Sequence, residues 1–153
     1  MQHRKDCDFS FAGLKNAFRM AVMKMKELRS LTDDEELDEQ DKANLAASFQ
    51  ASAIKHLEQR LNRAITQLRI QEPQSNVKID KLVVVGGVAA NKAIRASLSR
   101  ICEKHEWEFY VPPPRLCTDN GVMAAWAGVE KLKCGVSDVA EEQEVYARYP
   151  FAS

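Results

Sequence analysis

Apolar residues recur three and four positions apart through the first half of the chain, and this spacing predicts two amphipathic helices. The first extends from Phe11 to Leu28, and its stripe consists of Phe11, Leu14, Phe18, Ala21, Met25 and Leu28. The second extends from about Lys42 to Ile70, and its stripe consists of Leu45, Phe49, Ile54, Leu57, Leu61, Ile65 and Leu68. The break from Ser30 to Asp41 is crowded with carboxylates, which predicts a solvated linker.

The pattern changes in the second half of the chain. Lys81 to Val85 is a continuous β-branched run, which predicts a strand covered on both faces. A helix follows it, with inward positions at Ile94, Leu98, Ile101 and Cys102. Trp107 to Val111 predicts a second strand, which ends at three prolines that cannot donate to a ladder.

A last helix is predicted from Asp119 to Lys133, with core positions at Met123, Trp126, Ala127 and Leu132. The order helix, helix, strand, helix, strand, helix predicts an α/β layer structure. Two strands are too few for a complete sheet, so we expect the chain to be part of a larger lobe.

Composition narrows the possible functions. The 153 residues are 45% apolar and 29% charged, which is typical of a soluble globular domain. The formal net charge is zero, so bulk charge gives no support to nucleic-acid binding. The sequence has no apolar run of the roughly 20 residues that span a bilayer, and no readable targeting signal. The four cysteines form no C-x-x-C pair, which argues against a zinc or disulfide framework.

Gly86 and Gly87 follow the first predicted strand and are the first candidate for a ligand site. A double glycine tolerates positive φ and lets a ligand approach the backbone. Asn91, in the next helical turn, offers an amide donor and an acceptor to a base or a ribose. A tight strand-to-helix connection without a ligand explains the same residues equally well. The segment matches neither the Walker loop nor the dinucleotide fingerprint.

Thr118 and Asp119 form the second candidate, at the start of the last helix. Either residue is a good N-cap, and capping explains both. Alternatively, Asp119 is a metal or phosphate-side carboxylate, but one carboxylate does not hold Mg²⁺ or Fe²⁺. No histidine pair has metal-ligand spacing, and His56 is interpreted as a surface or hydrogen-bonded histidine beside the apolar stripe.

Four ordered segments together resemble one protein family. They are Asp8–Lys15 (DFSFAGLK), Leu45–Gln50 (LAASFQ), Val85–Asn91 (VGGVAAN) and Cys117–Gly121 (CTDNG). These segments closely resemble the TsaD family, the tRNA N6-adenosine threonylcarbamoyltransferases. The proline-rich segment Tyr110–Pro114 resembles the bacterial and mitochondrial branch of that family.

The resemblance implies an actin-like, sugar-kinase/Hsp70-type (ASKHA) α/β fold, of which this chain is mainly the C-terminal lobe. Residues 1–135 then belong to the family domain, and residues 136–153 are a divergent tail. The implied activity is an acyl transfer, from threonylcarbamoyl-adenylate to N6 of adenosine 37 in tRNAs that read codons beginning with A. The implied partners are tRNA, the adenylate and a second copy in a homodimer of the full-length enzyme. The resemblance also implies a protein without a membrane span that is located in the mitochondrion.

The same resemblance implies a set of site residues. Ala90, Asn91 and Thr118 would bind the adenylate substrate, and Asp119 would be a ligand of one divalent metal ion, Fe, Zn or Mg. It assigns no catalytic residue to this chain. The family's paired metal histidines belong to a preceding lobe without a counterpart here. The isolated chain is therefore expected to be inactive or nearly so.

Two other interpretations stay open at the level of sequence. The chain could be a nucleotide-binding piece of an ASKHA-type kinase, which would transfer phosphate from ATP. It could also be a non-catalytic truncated chain that pairs with the full-length enzyme through an exposed apolar stripe on its first helix. Transfer from threonylcarbamoyl-adenylate distinguishes the first alternative, and sedimentation with the full-length enzyme distinguishes the second.

Overall fold

The helices and strands follow the order that the sequence predicts, and the protein is mixed α/β. The computed structural model describes residues 6–71, 78–137 and 139. It divides into two compact units, Met1–Cys117 and Thr118–Ser153. The elements are α1 (Ala12–Leu28), α2 (Glu39–Gln71), β1 (Lys81–Val83), α3 (Lys92–His105), β2 (Glu108–Tyr110) and α4 (Gly121–Lys133). Within the described ranges, we find no helix with the length and apolar character that crossing a membrane requires.

The first two helices pack against each other through their apolar stripes. Phe18 of α1 meets Phe49 of α2 edge-on, with ring centroids 5.1 Å apart. Phe11, Leu14 and Met25 are also half-buried, whereas Ala21 and Leu28 of the same stripe are exposed. This packing does not leave the fully exposed stripe on α1 that the truncated-chain interpretation requires.

The acidic linker before α2 is more ordered than a solvated linker. The Asp38 carboxylate accepts the Asp41 backbone N–H at 2.7 Å and so caps the start of α2. Asp41 is 4% exposed, and Arg29 donates to both of its carboxylate oxygens at 2.7 and 3.0 Å. These hydrogen bonds lower the pKa of Asp41. The prediction of a solvated linker is wrong at Asp41, because Arg29 at the end of α1 lies close enough to bond its carboxylate.

A strand, a helix and a parallel strand form the second half of the first unit. The register pairs Leu82 with Phe109, and these two residues are the half-buried positions of β1 and β2. The apolar side of α3 supplies much of the core, as predicted: Ile94, Leu98, Ile101 and Cys102 are all buried. Ile65 of α2 is also fully buried.

The prediction that β1 is covered on both faces is wrong. The strand is shorter than predicted, and Val83 and Val85 are 64% and 69% exposed. In the first unit α3 lies against the sheet, and no described element of that unit covers the opposite side. A run of valines does not reveal how many layers surround a strand.

The second unit contributes α4, whose apolar residues are not in a core. The predicted core positions Met123, Trp126, Ala127 and Leu132 are all exposed. The prediction is wrong because α4 has no described partner element within its own unit. The boundary predicted at residue 135 stays a prediction, and most of the predicted tail, residues 136–153, lies outside the described residues.

Candidate functional site

The double glycine after β1 forms a turn that only glycine tolerates. Gly86 has φ 88° and ψ 172°, a backbone region that is essentially restricted to glycine. A short 3₁₀ turn follows from Gly87 to Ala90, with the Ala89 N–H donating to the Gly86 carbonyl at 2.9 Å. Ala89 is buried, so the turn is anchored in the core while Gly86 and Gly87 stay exposed. The sequence prediction of a positive-φ turn is confirmed at Gly86.

Asn91 is the N-cap of α3, and this role uses part of its hydrogen-bonding capacity. Its Oδ1 accepts the backbone N–H groups of Ala93 and Ile94 at 2.9 and 3.1 Å. Its Nδ2 donates to Gln50 Oε1 of α2 at 2.9 Å. An amide oxygen has two lone pairs and an amide nitrogen two hydrogens. The expected acceptor is therefore already used, and one N–H remains for a ligand.

A cavity of about 790 Å³ lies beside Asn91, within the first unit. Such a volume is within the range of small-molecule and cofactor sites. Its polar lining comes from Lys15, Gln50 and Asn91. The remaining wall is aromatic and aliphatic: Phe9, Phe11, Phe18, Ala46, Phe49, Ala53, Leu57, Val88 and Ile94.

Sequence reasoning did not find this cavity, although the signal was present. Two of the segments that carry the family resemblance, Asp8–Lys15 and Leu45–Gln50, both contribute to its wall. Their aromatic residues have helical spacing, and helical spacing alone indicates packing. The spacing does not show that three elements diverge enough to leave a space between them.

His56 packs against two of the aromatic residues that line the cavity. Its ring meets Phe9 and Phe11 edge-on, with centroids 5.8 and 5.3 Å apart. Its Nε2 is buried and has no hydrogen-bond partner in the described part of the chain. Burial and the neighbouring Arg60 charge lower its pKa. The expected surface or hydrogen-bonded histidine is therefore a half-buried neutral ring without a bond at Nε2.

Acidification is expected to destabilise the fold through His56. Because its pKa is lowered on folding, its contribution to stability is complete above the unfolded value of about 6.5 and is lost as the pH falls below it. The melting temperature of the wild type should fall as the pH is lowered from about 7.5 to 5.5. The fall should be smaller for His56→Phe, which keeps the ring contacts and does not titrate. The pKa of His105 is also lowered by burial, but this residue contributes equally to the pH dependence of the wild type and of His56→Phe. Identical pH slopes would exclude His56 as the source.

Arg95 of α3 connects the glycine turn to the proline-rich loop. Its Nε donates to the Ala89 carbonyl, and its Nη2 donates to the Pro112 carbonyl at 2.7 Å. The same nitrogen lies 3.2 Å from the sulfur of the buried Cys117. Sequence reasoning missed this residue because bonds from a side chain to distant carbonyls leave no spacing signal.

The second candidate segment lies at the start of the second unit. Asn120, not Thr118 or Asp119, is the N-cap of α4, and its Oδ1 accepts the Met123 N–H at 3.1 Å. Its Nδ2 also donates to the Thr118 carbonyl at 3.1 Å. Both predicted caps are wrong because the extended backbone at Asn120 aims its side chain at the first turn. Thr118 and Asp119 are exposed.

Asp119 does not form a metal centre with its neighbours. Across residues 6–71, 78–137 and 139, we find no group of three His, Cys, Asp or Glu side chains that could hold a metal ion. A carboxylate without companion ligands does not fit a divalent ion. The structure thus places Ala90 and Asn91 on one turn of the first unit, and Thr118 and Asp119 side by side in the second.

The whole pattern matches one family of enzymes. The family model described as tRNA N6-adenosine threonylcarbamoyltransferase matches residues 1–126. A relative in Arabidopsis thaliana, the "Probable tRNA N6-adenosine threonylcarbamoyltransferase, mitochondrial", is 42% identical over 90% of this chain and 28% of its own length. The "tRNA N6-adenosine threonylcarbamoyltransferase" of Rhizobium etli is 41% identical over 94% of this chain and 36% of its own length.

A third relative, the tRNA N6-adenosine threonylcarbamoyltransferase of Paramagnetospirillum magneticum, is 40% identical over 90% of this chain and 36% of its own length. The chain therefore spans about a third of the length of the relatives that it matches. The match extends over the glycine turn, the cavity wall and the start of α4. The chain belongs to the TsaD family of tRNA N6-adenosine threonylcarbamoyltransferases.

Proposed function

We propose that this chain binds threonylcarbamoyl-adenylate and takes part in transfer of its threonylcarbamoyl group to N6 of adenosine 37 in tRNAs that read codons beginning with A. One observation carries the proposal: an apolar cavity of about 790 Å³ lies at the double-glycine turn, with Asn91 on its wall. Ligand sites typically combine such an apolar wall with a few placed polar groups.

The lining suits an adenine ring. Aromatic side chains such as Phe11 and Phe49 offer faces and edges to a planar base. The remaining N–H of Asn91 can donate to a ring nitrogen of adenine. An acyl-adenylate is already activated, so the protein has mainly to position it and to stabilise charge in the transition state. This chemistry does not require a nucleophile on the chain.

Further features of the family are part of the same proposal. We propose that the fold is of the ASKHA type, mainly its C-terminal lobe, and that tRNA and a second copy of the full-length enzyme are the partners. We also propose a mitochondrial location, which the name of the Arabidopsis thaliana relative supports. Ala90 and Thr118 are proposed substrate contacts. Asp119 is proposed as one ligand of a divalent ion whose other ligands come from outside this chain.

The test is calorimetric titration of the full chain with adenosine 5′-monophosphate (AMP), comparing Asn91→Ser with the wild type. Serine is also a good N-cap, so α3 should stay folded while the carboxamide contact is lost. The expected result is a threefold to tenfold weaker affinity, roughly the worth of one neutral hydrogen bond. Helix content by circular dichroism is the control for folding.

Two outcomes would contradict the proposal. AMP that does not bind the folded wild-type chain would exclude the cavity as an adenylate site. Unchanged affinity in Asn91→Ser would restrict Asn91 to its capping role and remove it from the site.

A further inference from the structure

Lys15 introduces a positive charge into a cavity that otherwise has none. It lies in the first turn of α1, where its backbone N–H donates to the Phe11 carbonyl at 2.9 Å. Among the described residues that line the cavity, Lys15 is the one with a charge, and no carboxylate accompanies it. The wall therefore favours a ligand with an apolar body and an anionic group.

The ammonium group of Lys15 has no partner within the described chain: no ion pair or side-chain hydrogen bond involves it. Other lysines in the structure are paired, for example Lys42 with Glu39 at 3.0 Å and Lys133 with Glu130 at 3.0 Å. Because Lys15 is exposed, its charge is hydrated in the free protein and stays available to a ligand. An arriving anion would not have to displace a carboxylate.

The polar groups of the wall belong to three different elements. Gln50 and Asn91 bond to each other across α2 and the start of α3, whereas Lys15 extends from α1. A ligand can place a base against the aromatic wall, where the base accepts the remaining N–H of Asn91. A different part of the same ligand then meets the ammonium group of Lys15. For a nucleoside monophosphate, that part is the phosphate.

We propose that Lys15 binds the phosphate of the adenylate and so distinguishes an adenylate from an uncharged nucleoside. This proposal rests on the proposed function, because it assumes that the adenine occupies the same cavity. It gives the segment Asp8–Lys15 a role in binding beyond the packing of α1. The interaction is a charge-assisted hydrogen bond from Nζ to a phosphate oxygen.

The experiment compares AMP with adenosine as ligands of the full chain. Lys15→Gln should weaken AMP binding about tenfold, as expected for loss of one charge-assisted bond at an exposed position. Its affinity for adenosine should not change. Lys24→Gln, an exposed lysine later on α1, is the matched control for the loss of one positive charge, and Lys15→Arg should retain most of the AMP affinity. Sodium chloride should weaken AMP binding to the wild type more than to Lys15→Gln.

The possible outcomes separate the two proposals. If both ligands bind the wild type and Lys15→Gln binds AMP equally well, the role of Lys15 is excluded and the adenylate site stands. If Lys15→Gln weakens both ligands equally, the residue shapes the wall and does not recognise phosphate. If neither ligand binds the folded wild type, the proposed site and the role of Lys15 are both excluded.

Discussion

Replacing Arg95 with methionine is expected to lower the free energy of unfolding by about 2–4 kcal/mol, because two carbonyl groups lose their donor. The carbonyl of the buried Ala89 and that of Pro112 both accept from this guanidinium. Methionine has a similar stem and no donors, so the change removes the bonds with little change in volume. Denaturant unfolding followed by circular dichroism measures the effect.

The control for Arg95→Met is Arg100→Met, which removes the same charge from an exposed position on α3. This change should alter stability by no more than about 0.5 kcal/mol, as is usual for surface substitutions. Arg95→Lys should recover part of the loss, since one ammonium can reach one carbonyl. A second measurement is thiol labelling mapped by mass spectrometry: Cys117, buried beside Arg95, should react faster in Arg95→Met. Equal stability of the two methionine variants would contradict the bridging role of Arg95.

Replacing Gly86 with alanine is expected to cost about 1–3 kcal/mol of stability, because a side chain at this backbone conformation is strained. The φ of Gly86 is 88°, while Gly87 has no such constraint. A Cβ built at either glycine meets no atom within 4 Å. The difference between Gly86→Ala and Gly87→Ala therefore reports the backbone effect without any steric clash.

Gly87→Ala should be neutral or should stabilise the protein by up to about 1 kcal/mol, because alanine restricts the unfolded chain. Gly86→Ala should also weaken AMP binding severalfold, because relief of the strain shifts the turn before Asn91. The two measurements are chemical denaturation and calorimetry on the same preparations. If the two alanine variants differ by less than about 0.5 kcal/mol, the conformation of Gly86 does not determine the turn.

Much of the architecture follows from periodicity. The predicted helices begin and end within about three residues of α1, α2 and α4, and the second predicted strand contains β2. The inward residues predicted for α3 are also confirmed. A short helix with a single apolar stripe is stabilised by burying that stripe in the core. Burial of β1 and α4 was not predictable in the same way. A run of apolar residues indicates that an element can be buried. Whether another element covers it depends on how all the elements pack together, which the run itself does not show.

The sequence predicted that Asn91 follows the glycine turn, but it predicted neither the hydrogen bonds of Asn91 nor the cavity beside it. The motif placed Asn91 at the glycine turn, but its capping bonds and its contact with Gln50 depend on how α2 and α3 pack. Between Asp119 and Asn120, two residues with similar capping ability, the choice depends on a backbone conformation that neither side chain determines. Arg95 has its partners 6 and 17 residues away, beyond any helical spacing rule.

The two-stranded sheet has a consequence for work in solution. Within the described residues, β1 and β2 pair only with each other, so each strand also presents a free edge of unpaired N–H and C=O groups. Exposed edges with apolar side chains such as Val83 are templates for strand addition between molecules. Self-association at high concentration would compete with nucleotide binding and make the apparent affinity depend on protein concentration. Titrations over a dilution series, with sedimentation at each concentration, would separate the two equilibria.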